Sequence, residues 1–123
     1  FIDPDAPEFA RPCDMPAAIT ALLERSGQAA PATRAGLTRV VFESLALKYR
    51  VLLAAMKSWM PDFPDTLHIV GGGSRNALLN QMTADATGLR VLAGPSEATA
   101  AGNIAAQMIA CGDLGSLDEA RAL

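Results

Sequence analysis

The sequence is poor in the residues that most often carry chemistry. It holds one histidine, one tyrosine, one tryptophan and two cysteines in 123 residues. Cys13 and Cys111 lie far apart and form no CxxC or Cys/His set, whereas a structural zinc takes about four ligands at recognisable spacing. They read as free thiols in a reducing compartment. His68 has no serine or aspartate at a spacing that suggests a triad, and a lone histidine in an apolar strand reads as a packed or hydrogen-bonded residue. Positive charge is scarce as well. Ten Lys and Arg against thirteen Asp and Glu leave a net charge of −3, so neither nucleic acid nor an anionic membrane would find a concentrated basic patch. No segment reaches the roughly 18 consecutive apolar residues of a membrane span, and no charged stretch precedes an apolar one as in a secretory signal. The expectation is a cytoplasmic protein. Methionine is missing from position 1, and the chain opens on Phe1 inside a Pro-rich stretch. It reads as processed or as part of something longer.

What is present is apolar and regular. Hydrophobic residues make up 50% of the chain and charged residues 19%, which excludes intrinsic disorder, and the length suits one modest core. Residues 1–13 carry three prolines and no helical period, so they read as an extended arm whose Phe1, Ile2 and Phe9 dock on a neighbouring surface. Asp3 and Asp5 lack convergent partners for a cation and read as a solvated loop. Residues 14–123 form the folded part. Asp14 suits an N-cap with Pro16 in the first turn, and Ile19, Leu22 and Leu23 make an apolar stripe ending at Gly27. From Thr33, the positions Leu37, Val40, Val41, Leu45, Tyr49, Leu52, Leu53 and Met56 recur at three- and four-residue steps. They predict a long helix with one buried face, running to about Trp59 and stopping before Pro61.

The chain then changes character. Residues 66–70 (TLHIV) read as a strand, Asn76 to Thr87 as a helix capped by Gly88, and residues 89–93 as a second strand. Gly94-Pro95 turns the chain, a small-residue helix runs from about Ala98 to Ala110, and Ser116 caps a final helical stub. Strand, glycine turn, helix and strand make a βαβ unit with parallel strands, so the fold class is α/β with packing helices. Two strands are too few for a finished sheet, which needs more strands and covered edges.

Gly71-Gly72-Gly73-Ser74-Arg75-Asn76 is the stretch most suited to chemistry. It follows a parallel strand, where open α/β sheets bind ligands. Glycines let a ligand approach backbone without meeting a Cβ, and the helix beyond offers N–H groups to an anion. The turn is neither GxxxxGK[ST] nor GxGxxG. Its glycines serve helix–sheet packing equally well, and Ser74 or Asn76 suits either a cap or a hydrogen bond to a ligand. Asp85 and Glu97 are possible general bases without a partner that sequence can place. The small residues Ala98, Ala100, Ala101, Gly102, Ala105 and Ala106 suit close packing against other backbone.

Three ordered segments, LTRVVFESLALKYRVLLAAM, LHIVGGGSRNALLNQMTADATGLRV and GPSEATAAGNIAAQMIACG, resemble the closing region of FGGY-type carbohydrate kinases, and the resemblance covers essentially the whole chain. The opening FIDPDAPEF…DMPAAI and the phrase AGPSEATAAGNIAAQ resemble the subgroup that phosphorylates L-rhamnulose to L-rhamnulose 1-phosphate. The resemblance implies a two-domain actin/hexokinase-like enzyme built on ribonuclease-H-like sheets. This chain would then be the later part of its nucleotide-binding domain. It implies ATP and Mg2+ as cofactors, with the sugar bound mainly by a first domain outside this chain. Gly71, Gly72 and Gly73 would lie against the nucleotide, Gly72 foremost, with Asn76 toward the adenosine. No aspartate of this chain corresponds to the family's catalytic base. The chain alone is therefore expected to be inactive, with apolar surface that favours self-association. A stand-alone nucleotide-binding or interaction module, and a kinase for another ketose or polyol, are the alternative readings.

Overall fold

The computed structural model describes residues 1–122. Helix α1 spans Met15–Arg25, α2 spans Arg34–Lys57, strand β1 spans Thr66–Ile69 and α3 spans Ala77–Thr87. Strand β2 (Arg90–Ala93), α4 (Ala98–Cys111) and α5 (Leu117–Arg121) complete the order. The strands form a two-stranded sheet. Arg90 N–H donates to Asp65 O and Gly94 N–H to Ile69 O. Both strands thus advance together across the ladder and are parallel. The α/β class and the βαβ unit are present. By its internal contacts the chain divides into two units, residues 1–67 with 78–91 and residues 68–77 with 92–123.

The first unit is built on α1 and α2, which pack on each other. Asp14 caps α1 by accepting the Ala17 N–H at 3.0 Å, and Thr33 caps α2 by accepting the Gly36 N–H at 3.1 Å. Each such cap stabilises by about 1 kcal/mol. Ile19 and Leu23 of α1 and Ala46 of α2 are buried, as is Thr83 of α3. The Thr83 hydroxyl donates to Leu79 O at 2.7 Å, which satisfies a polar group with no access to water.

The expected buried face of α2 is only partly realised. Leu37, Val40, Val41, Leu45, Tyr49 and Leu53 are half-buried, but Leu52 and Met56 are exposed, with Val51 and Trp59 beside them. The reason is length. A helix of 24 residues is about 36 Å long, whereas α1 and α3, at 11 residues each, reach about 16 Å. Two short helices cannot cover the whole of the long one.

The N-terminal arm also differs from a plain extended segment, since Pro7–Phe9 form a turn of 3₁₀ helix. The Asp3 and Asp5 carboxylates both accept from Lys48, at 2.9 and 2.8 Å. Ile2 N–H donates to the buried Ser44 hydroxyl at 3.0 Å, and Glu8 pairs with Arg25. Ile2, Pro4 and Phe9 of the arm share an apolar pocket with Met15, Ile19 and Val41. The hydrogen bond from Lys48 and the Asp5 N–H hold the Asp3 carboxyl below its ordinary range, and the Asp5 and Asp3 carboxylates raise the Lys48 ammonium.

The second unit carries α4 and α5, which pack on each other. Helix α4 ends at Gly112 in the left-handed conformation, φ 83°, and Leu114 beyond it is buried. Ser116 caps α5 through the Glu119 N–H. No described residue of α4 is buried, and Ile104 is 58% exposed.

Candidate functional site

The glycine turn lies wholly in the second unit. Between β1 and α3 the backbone does not pass straight from strand to helix. It makes a short 3₁₀ turn over Gly72–Arg75, and α3 begins at Ala77. Gly71 enters this turn at φ 81°, ψ −169°, a region open essentially to glycine alone. Its carbonyl accepts both the Ser74 N–H at 3.0 Å and the Ser74 hydroxyl at 2.8 Å. Ser74 is buried, and its side chain braces the turn from within. Asn76 is half-buried at the far end, where its N–H donates to Gly73 O at 3.0 Å.

Gly72 and Gly73 behave differently from Gly71. Neither has a positive φ, both are exposed, and a Cβ built on either would meet nothing within 4 Å. Packing among the described residues therefore gives no reason for glycine at these two positions. The turn offers bare, accessible backbone at the C-terminal end of a parallel strand, the geometry suited to close approach by a polar ligand.

A second loop flanks the turn. Gly71 N–H donates to Pro95 O at 3.1 Å, and Arg75 Nη2 donates to Ser96 Oγ at 2.7 Å. Gly94 sits where a Cβ would lie 2.9 Å from Val70 Cγ1, so the loop after β2 is pressed against the end of β1. Sequence reasoning placed Arg75 in the turn but gave it and Ser96 no role. Their partnership spans 21 residues, and no local spacing signals it.

The weaker candidates do not assemble. His68 faces outward from β1, contrary to a packed histidine. Asp85 is exposed and accepts from Gln81 Nε2 at 2.8 Å. Glu97 precedes α4 without a side-chain capping bond. Ala100, Ala101, Gly102 and Ala106 of the small-residue helix are exposed, and the close packing expected of them is not made among the described residues of the second unit. Cys13 and Cys111 are free and exposed. Among the described residues, no three His, Cys, Asp or Glu gather where a metal ion would sit, and no helix is long and apolar enough to cross a membrane.

Residues 1–111 match the FGGY family of carbohydrate kinases, C-terminal domain. The chain belongs to this family. It is also 49% identical over 113 residues to a rhamnulokinase of Bacteroides thetaiotaomicron, an alignment that covers 92% of this chain and 23% of that protein. The FGGY match includes the arm, the glycine turn, the Gly94–Glu97 loop and all of α4. The chain spans less than a quarter of its relative's length.

Proposed function

We propose that this chain forms one wall of the ATP site in a sugar kinase, with Gly71, Gly72 and Gly73 presenting backbone to the nucleotide and Asn76 toward its adenosine. The observation that carries this reading is the pair Gly72 and Gly73, exposed glycines that neither backbone strain nor internal packing requires. An approaching nucleotide gives both of them a reason. On this reading the two strands and their helices are the later part of a ribonuclease-H-like domain of the actin/hexokinase type.

The reaction is transfer of the γ-phosphoryl group of ATP to the 1-hydroxyl of L-rhamnulose, giving ADP and L-rhamnulose 1-phosphate. The sugar assignment rests on the 49% identity to a rhamnulokinase. Phosphoryl transfer works by positioning and charge stabilisation, and the part this chain contributes is a shape-matched backbone surface. Magnesium would accompany the phosphates. The described residues offer no cluster of ligands for it, so its ligands would come from elsewhere in the enzyme. The proton acceptor for the sugar hydroxyl and the sugar pocket would lie there too, and the isolated chain would not phosphorylate sugar.

The test is Gly72→Val in the full kinase. A branched side chain at the open face should raise KM for ATP on the order of tenfold, equivalent to about 1.4 kcal/mol of lost binding, with KM for sugar unchanged. A rise in the sugar KM with no change for ATP would reject the assignment.

A further inference from the structure

We propose that Arg75 and Ser96 are positioning residues, a strap that holds the glycine turn in the shape the nucleotide meets; the proposal rests on the ATP-site reading above. The physical need comes from the glycines themselves. Gly72 and Gly73 lie exposed with no neighbour within 4 Å of a Cβ position, and glycine loses more conformational freedom on ordering than any other residue. A binding surface made of such backbone needs its two ends fixed, or the ligand must supply the ordering free energy itself.

The structure fixes both ends on the same loop. At the entry, Gly71 N–H donates to Pro95 O at 3.1 Å. At the exit, Arg75 Nη2 donates to Ser96 Oγ at 2.7 Å. Gly72 and Gly73 lie between these two anchor points. The loop that receives them is stiff for stated reasons. Pro95 has a fixed φ, Gly94 is pressed against Val70, and the Gly94 N–H continues the parallel ladder onto Ile69 O at 2.8 Å. The entry bond is backbone to backbone and survives any side-chain change. The exit bond depends on two side chains, so it can be removed without touching the turn's own backbone. Arg75 acts here through Ser96 and not through its charge on the phosphates.

Four variants of the full kinase test this: Arg75→Met, Ser96→Ala, the double variant and Arg75→Lys. Each single loss should raise KM for ATP by roughly three- to tenfold, the worth of one net hydrogen bond, with sugar KM unchanged. The double variant should be no worse than either single one, because both remove the same bond. Arg75→Lys, which still donates to Ser96, should return KM to within about twofold of the parent. Additive single effects would overturn the strap, as would a rise in Arg75→Met without one in Ser96→Ala. Gly72→Val run alongside separates the two claims. If it raises KM for ATP while the four variants do not, the strap fails and the ATP-site reading stands; if it leaves KM for ATP unchanged, that reading fails and the strap falls with it.

Discussion

Replacing Gly71 and Gly72 by alanine, one at a time, separates two reasons for glycine that stand side by side in the chain. Gly71 sits at φ 81°, ψ −169°, where a residue with a Cβ is strained by about 1–3 kcal/mol. The turn can escape that strain only by rotating Gly71. Rotation gives up the bond to Pro95 O and the two bonds from Ser74, each worth about 1 kcal/mol net. Both routes lead to a loss of roughly 1–3 kcal/mol for Gly71→Ala. Gly72 has no positive φ and no atom within 4 Å of a Cβ. Gly72→Ala should leave stability unchanged or raise it by up to about 1 kcal/mol, through lower entropy of the unfolded chain. Its effect should fall on ATP, with KM raised several-fold. Urea midpoints at constant m-value measure the first quantity, and steady-state kinetics at varied ATP measures the second. Equal destabilisation by the two alanines would refute the reasoning, because Gly72 would then be a structural glycine like its neighbour.

Three further outcomes follow from the first unit. Leu23 is 1% exposed, so Leu23→Ala should cost about 2–5 kcal/mol, read as a fall in the urea midpoint. Lys48→Gln should free the arm that Lys48 clasps through Asp3 and Asp5, read as faster proteolysis within residues 1–13. Acid should do the same in the parent chain. The hydrogen bond from Lys48 holds the Asp3 carboxyl below its ordinary value of 3.8, and the Glu8 backbone N–H and then Arg25 hold the Glu8 carboxyl below 4.5, so these bonds are complete above those values and are lost as pH falls through the lowered ones. Protection of the arm that persists unchanged at pH 2 would contradict this account.

The elements of this fold were legible because their signals are local. Asp14 and Ser116 cap the helices they were expected to cap, and Gly88, the expected stop of α3, takes φ 71°. Each of these depends on two to four neighbouring residues. The 3₁₀ turn at Gly72–Arg75 was not legible, since two glycines carry no strong preference for it and the Ser74 side-chain bond to Gly71 O that accompanies it has no sequence signal. The clasp of Lys48 on Asp3 and Asp5 spans up to 45 residues and belongs to packing, which spacing does not encode. The same holds for Arg75 and Ser96.

The apolar positions of α2 raise the harder point about what periodicity records. Leu52 and Met56 keep the three- and four-residue spacing of a buried stripe, yet they are 50% and 46% exposed. Burying a side chain of this kind is worth about 1.5–3 kcal/mol, and such a pattern is costly to keep on a solvated face. The sequence pattern therefore specifies a covered surface that the described residues of the first unit do not supply. The same logic applies to Gly72 and Gly73, whose lack of side chains leaves room that no described residue beyond their chain neighbours fills. At α2 the missing neighbour is apolar and extended along a helix face; at the glycine turn it must be polar enough to use bare N–H and C=O groups. On the proposed reading these are two different bodies, the remainder of the kinase polypeptide and its nucleotide. A ligand that protected the glycine turn from hydrogen exchange without protecting Val51–Met56 would separate them in a single measurement.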